Sequence, residues 1–278
     1  MISAGRKGEV PAVVVREDVV SSRPANGSAG DRLVMVITPL AVLVVWEVSV
    51  RLGYLHSLFF PPPSLVFQTI ARLTRSGELP GHVLISLQRV FLGFFLGAAP
   101  GVLLGMSMGW SRRVRAAIEP MVSALYPVPK VALLPMILLL FGIGELSKVV
   151  LVAIGAFFPA VINAMTGVMG ISPVYFEAAA NCGAGRWKTF TRVIIPGSLP
   201  VTLAGIRLAF GMALILVVTA EFVAARSGVG AMIWLAWETL RTEKLYAGVV
   251  TWAFLGLVST WCLRWVEASV IRWRPHTS

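Results

Sequence analysis

Residues 83–109 read VLISLQRVFLGFFLGAAPGVLLGMSMG, a stretch with one charge, Arg89, and a glycine at every fourth place from Gly93 through Gly97, Gly101 and Gly105 to Gly109. About 20 apolar residues suffice to cross the hydrocarbon of a bilayer as a helix. The glycine ladder removes the side chains from one face, so a second helix can approach backbone to backbone in the small-xxx-small manner. Four residues sweep about 400°, so the stripe drifts around the helix and predicts a slanted crossing. Pro100 predicts a kink midway. Such a stretch decides for an all-α membrane protein.

The rest of the chain agrees. Of its 278 residues 57% are hydrophobic and 13% charged, about half the charged share of an ordinary soluble domain, and the mean hydropathy is +0.82. Apolar runs predict about six transmembrane helices near 33–52, 83–109, 121–143, 147–168, 200–224 and 247–266, which leaves no room for a second catalytic domain. The net charge of +11 reports topology rather than a nucleic-acid partner. Segments on the side of the termini hold fourteen Lys and Arg and the opposite loops seven, which places both termini in the cytosol by the positive-inside rule. Residues 1–32 mix five basic and four acidic side chains with Ser, Gly and Pro. They read as a disordered cytosolic tail ahead of a membrane domain at 33–278.

Between the first two spans, Pro61-Pro62-Pro63 and the spacing of Leu65, Phe67, Ile70 and Leu73 predict an interfacial helix. The third span carries Pro120, Pro127, Pro129 and Pro135, which cannot donate backbone hydrogen bonds, so carbonyls near Tyr126 and Val131 are freed. Freed backbone at that depth is buried in protein or lines a wet cavity, and broken helices often flank transport pathways. Tyr126, Pro129 and Pro135 are therefore pathway candidates. Glu47 and Glu221 lie near span ends and are expected to pair with Arg51 and Arg226, with Glu221 kept as a pathway candidate. Arg207 reads either as an anchor at the cytosolic interface, within snorkelling reach, or as a pathway cation. Arg89 and Lys130 are left over.

Several chemistries are absent. No Gly-Lys dipeptide occurs, so the chain has no phosphate-binding Gly-x-x-x-x-Gly-Lys loop, and ATP and Mg would belong to another subunit. Gly105-Met106-Ser107-Met108-Gly109 imitates a hydrolase elbow, but it lies inside a helix. The best histidine, His82, is about 37 Å away along that helix. With aspartates only at 18 and 31 and histidines only at 56, 82 and 276, neither a catalytic triad nor a metal site can be assembled. Cys182 and Cys262 read as solitary thiols. An ion-driven secondary transporter, the alternative reading, would need midplane charges and inverted repeats, and neither is evident.

The segment 169–199 is the long cytosolic loop. Ser172-Pro173 reads as a helix start with a capping hydroxyl, Glu177-Ala178-Ala179-Ala180 continues the helix, and Gly183 and Gly185 end it. Gly183 is expected to take a positive φ. Trp187, Phe190 and Ile194 then recur opposite Arg186, Lys188 and Arg192, a second short helix on the membrane face that Pro196 and Pro200 are expected to stop. Three alanines in a row leave a partner room to close tightly around the backbone, and Glu177 adds one charge near the helix start, where the dipole favours it.

This loop resembles the Glu-Ala-Ala loop of ATP-binding-cassette (ABC) importer permeases: Glu177-Ala178-Ala179, Gly183 six residues after the glutamate, then Val193-Ile194-Ile195-Pro196. Pro127-Val128-Pro129-Lys130-Val131-Ala132-Leu133-Leu134-Pro135, with Phe141-Gly142-Ile143-Gly144, is similar to the branch that imports aliphatic sulfonates, taurine, nitrate or bicarbonate, and Glu221 followed by Gly228-Val229-Gly230 fits the same branch. The resemblance implies a type I ABC importer (MetI-like) permease fold in a bacterial inner membrane, without an ATPase site or bound cofactor of its own. It also implies two permease copies in the lipid bilayer, two cytosolic ATPase subunits bearing the ATP and Mg, and an extracytoplasmic solute-binding protein. On this resemblance Glu177, Ala178, Ala179, Gly183, Arg186 and Pro196 are the ATPase-coupling residues. A homodimer is expected before a heterodimer, and a small sulfonate or other oxyanion before a vitamin precursor.

Overall fold

The computed structural model describes residues 29–271, so most of the tail expected to be disordered lies outside the described residues. In chain order the helices are α1 (Ala29–Arg51), α2 (Pro63–Arg75), α3 (Glu78–Trp110), α4 (Arg112–Leu125), α5 (Leu134–Phe141) after a 3₁₀ turn (Lys130–Leu133), α6 (Glu145–Met169), α7 (Pro173–Asn181), α8 (Arg186–Thr189), a π-helical turn (Phe190–Ile194), α9 (Ile195–Ala224), α10 (Val229–Glu238) and α11 (Thr242–Val270). No strand occurs among the described residues. The chain divides after Val42 into two units. The described part of the first is the opening stretch of α1, and the contacts below belong to the second.

Among the described residues five helices are long and apolar enough to cross a membrane: Leu33–Arg51, α3, α6, the continuous Arg186–Ala224 and α11. A sixth exists if α4 and Lys130–Phe141, bent by 89° to each other, count as one span. The expected span at 121–143 is therefore not one rod. Its first helix begins earlier, at Arg112, where the Ser111 hydroxyl accepts the Val114 N–H. It ends at Leu125, just before two prolines that supply no N–H to continue the ladder.

The glycine ladder finds its partner in α6. A Cβ added at Gly93 would stand 2.6 Å from the Val152 side chain, and one at Gly101 2.7 Å from the Phe157 carbonyl. At Gly97 and Gly105 it would overlap the carbonyls of Ala153 and Val161, and at Gly109 it would meet Val168. α6 thus follows the stripe over its whole length. The seam is sealed on its other side by α9, with Val90, Phe94, Leu151, Ala156, Ala213 and Val217 in one buried cluster. The Phe94 and Phe210 rings there meet edge to face at 5.1 Å, a favoured aromatic geometry. Outward-facing Phe95, Leu103, Ile215 and Phe254 are exposed, as lipid-facing positions are.

α2 packs less simply than its spacing predicts. Val66, Thr69 and Leu73 are buried, whereas Leu65 and Phe67 are exposed. Its start is capped from α1, since the Glu47 carboxylate accepts the Ser64 N–H at 3.0 Å and the Ser64 hydroxyl at 2.8 Å. The same carboxylate holds the expected pair with Arg51.

Candidate functional site

α7 is anchored on one side and bare on the other. Phe176, Phe190 and Ile194 pack with Met106, Ala164 and Val168 at the ends of α3 and α6, and the Trp110 ring lies tilted against Phe190 at 5.3 Å. Glu177, Ala178 and Ala180 are exposed and Ala179 is half-buried. The helix ends in a hydrogen-bonded left-handed turn: Gly183 has φ +66°, its N–H donates to the Ala180 carbonyl and that of Ala184 to the Ala179 carbonyl, each at 2.9 Å. This is the Schellman arrangement that satisfies otherwise orphaned carbonyls. Nothing lies within 4 Å of the place where a Gly183 side chain would start.

Two expectations for this segment need correction. The Ser172 hydroxyl does not cap α7; its carbonyl accepts the Tyr175 N–H instead, and Pro173 in the first turn has no N–H to satisfy. Nor do Pro196 and Pro200 stop the second helix. The π turn gives the Phe190 carbonyl the Ile195 N–H, Pro196 sits in the first turn of α9 where no donor is needed, and the helix runs on through Pro200. Arg186 is exposed beside Trp187, and Pro196 is half-buried.

The break in the third span is held by a side chain the sequence reading left unassigned. In an uninterrupted helix the Leu125 carbonyl would accept from residue 129, which is a proline. The Lys130 ammonium takes over, donating to the carbonyls of Leu125 at 3.0 Å, Tyr126 at 2.6 Å and Val128 at 2.8 Å. A cation at the C-terminal end of a helix also suits its dipole. Lys130 is buried, with its ammonium 4.5 Å from the centre of the Phe158 ring. Tyr126 and Pro129 line a cavity of about 310 Å³ together with Lys130, Phe158 and Met212. Pro135 opens α5 and is exposed, outside that cavity.

Glu221 lies elsewhere. It is fully buried and pairs with Arg89, whose Nη1 donates to it at 2.6 Å, rather than with Arg226. α9 ends at Ala224 and Ala225 is extended, so Arg226 leaves on the loop while Glu221 points inward at α3. The carboxylate also accepts the Ser86 hydroxyl at 2.8 Å and the Gly230 N–H at 2.8 Å. Arg89 reaches on to Glu145 at 2.5 and 2.7 Å and to the Ser227 carbonyl at 2.7 Å, and Lys148 joins Glu145 at 3.2 Å. A Cβ at Gly228, where φ is +111°, would overlap the Glu221 carboxylate. The glycine is what lets the loop between α9 and α10 close onto the pair. Arg207 meets Glu267 of α11 at 3.3 Å. Neither Glu221 nor Arg207 lines the cavity at the break. One signal for the Arg89–Glu221 pair was available, since opposite charges within spans are costly unless they meet.

Residues 101–272 match the family described as binding-protein-dependent transport system inner membrane component. The chain belongs to this family. Its members are permease subunits of ABC importers, which lack an ATPase site of their own. The permease is 34% identical over 274 residues to the "Putative aliphatic sulfonates transport permease protein SsuC" of Bacillus subtilis, covering 99% of this chain and 98% of that one. It is 33% identical over 248 residues to the taurine transport system permease protein TauC of Escherichia coli, covering 87% and 90%. The riboflavin transport system permease protein RibX of Chloroflexus aurantiacus is 32% identical over 85% of this chain and 88% of its own. In structure the permease resembles a chain of the MetNI methionine ABC transporter in inward-facing conformations, with a TM-score of 0.59 and 17% identity, over 70% of this chain and 94% of that one. The fold is thus that of the type I importer permeases, in a multi-pass membrane protein.

Proposed function

We propose that the permease forms the membrane pathway of an ATP-driven importer for a small organic anion of the sulfonate class, and that α7 with α8 is the surface on which its ATPase closes. The bare alanine face of α7, ended by Gly183 and anchored behind by Phe176 and Phe190, carries this reading. A partner groove can fit that face to the backbone, and any displacement of it is passed to the ends of α3, α6 and α9. Closure driven by ATP can shift the spans between access states only if the partner contacts the two states differently.

The α7 end then faces the cytosol, in keeping with the density of Arg and Lys in 111–120 and 186–192. The cluster around Arg89 lies toward the opposite face, where a solute-binding protein delivers its cargo. Two copies of the permease serve two ATPases, because each copy offers one α7. The pathway runs past the break at Tyr126 and Pro129, where irregular backbone borders a cavity. The sulfonate class is favoured by relatives named for aliphatic sulfonates and taurine. An ion-coupled mechanism draws no support from Glu221, whose carboxylate is already matched by Arg89, Ser86 and Gly230.

Reconstitution tests the reading. Liposomes holding the permease, its ATPase and the solute-binding protein should take up radiolabelled taurine or a short alkanesulfonate only with ATP inside, and riboflavin should not compete. Uptake by the permease alone, driven by an ion gradient, would refute it.

A further inference from the structure

Three cations are buried among the described residues: Arg89, Lys130 and Lys148. Arg89 shares two carboxylates, Glu145 and Glu221, and Lys148 shares Glu145. Half-exposed Arg207 and Lys244 likewise face Glu267 and Glu78. Lys130 differs. Its partners are the three carbonyls of Leu125, Tyr126 and Val128 and the face of Phe158, none of which carries a charge. Carbonyl dipoles solvate an ammonium but leave its net charge in place, and in a low-dielectric setting that charge is felt over several ångströms.

Capping alone does not require a full charge here. A neutral amide with two N–H groups could serve most of the same carbonyls at a smaller desolvation cost. The ammonium also sits between two cavities, the one of about 310 Å³ with Phe158 and Met212 and another of about 490 Å³ with Leu96 and Phe157. In both it is the sole charged side chain among the lining residues. The walls are otherwise apolar or aromatic, which suits a short hydrocarbon tail.

We infer that the Lys130 ammonium recognises the anionic head of the transported solute at the break in the third span, an inference that rests on the sulfonate reading above. The ammonium has three donors and all are engaged, so an entering sulfonate oxygen takes the place of one carbonyl. Val128 is the candidate, since its carbonyl belongs to the turn rather than to α4. The head supplies the negative charge that Lys130 lacks, and the tail lies against Phe158 and Met212.

The test uses the whole transporter in liposomes, with solute-binding protein and radiolabelled taurine. Lys130→Gln keeps N–H donors and loses the charge. It should lower uptake at least ~10-fold, while Lys130→Arg should stay within ~3-fold of the unaltered protein. Melting of the complex and stimulation of ATP hydrolysis by loaded binding protein should be unchanged in both. Met212→Glu leaves the cap untouched and sets a carboxylate in the cavity; it should also abolish uptake, and Met212→Gln should not. Full uptake by Lys130→Gln and Met212→Glu would overturn the inference. So would loss of uptake and of melting temperature in Lys130→Gln with full uptake in Met212→Glu, which would leave Lys130 a cap alone. If the unaltered transporter takes up no sulfonate, the substrate reading itself fails and takes this inference with it, a result distinct from the others.

Discussion

The two ends of α6 are built on opposite principles. Near Glu145, α3, α6 and α9 are tied by Arg89 and Glu221 with every donor and acceptor matched, and the loop before α10 is folded down on top. Near Met169, the chain turns into α7, which packs Phe176 inward and leaves Val174, Tyr175, Glu177, Ala178 and Ala180 exposed. One end closes on itself, and the other leaves the surface on which we propose that the ATPase closes. Stability should therefore concentrate at the first end and coupling at the second.

The sharpest way to break this contrast is Arg89→Met, which leaves Glu221 buried without its counter-charge. A loss of about 3–5 kcal/mol is expected, seen as a large drop in melting temperature in detergent and in membrane abundance. A variant that melts normally would show that the cluster does not hold the helices. Next comes Gly228→Ala. Its φ of +111° and the overlap of a Cβ with the Glu221 carboxylate should cost about 1–3 kcal/mol, with the α9–α10 loop becoming accessible to protease.

At the other end, Gly183→Val strains a left-handed turn by about 1 kcal/mol, and the space around it is empty. Melting of the isolated permease should hardly move, whereas co-purification of the ATPase should fall and uptake with it. Equal ATPase recovery would remove α7 from the coupling surface. The smallest effect is expected for Glu145→Gln. Its side chain is 65% exposed despite its bonds to Arg89, so solvent already screens it and less than about 1 kcal/mol should be lost.

Much of this was legible in the sequence, and what was not has a physical reason. Hydropathy located the helices because the bilayer fixes their length, and the punctuation around 172–185 located α7 because caps and turns are local. The positive φ at Gly183 followed from the same local rule. The pairing of Arg89 with Glu221 spans 132 residues, and no local rule reaches that far; proximity pointed to Arg226 instead. Freed carbonyls near Tyr126 could be read from the prolines, but Lys130 escaped because its return to the carbonyls of Leu125, Tyr126 and Val128 depends on the 89° bend, which no local rule supplies. Ser172 misled in the other direction, since a residue type favoured at caps need not use its hydroxyl there.

One feature joins the two ends mechanically. Arg186–Ala224 is a continuous helical rod of 39 residues, and near its middle Gly205 lies directly on the Asn163 side chain of α6, where an added Cβ would overlap the Asn163 Cβ. Taken as a lever with its fulcrum at Gly205, the rod has arms of about 29 Å to Arg186 and about 24 Å to Glu221 at 1.5 Å per residue. Pushing the first end 2 Å would swing the second by about 1.7 Å in the opposite sense. The π turn at Phe190–Ile194, a looser coil than the rest of the rod, lies within the long arm and sets how much of a push is absorbed before it reaches the fulcrum.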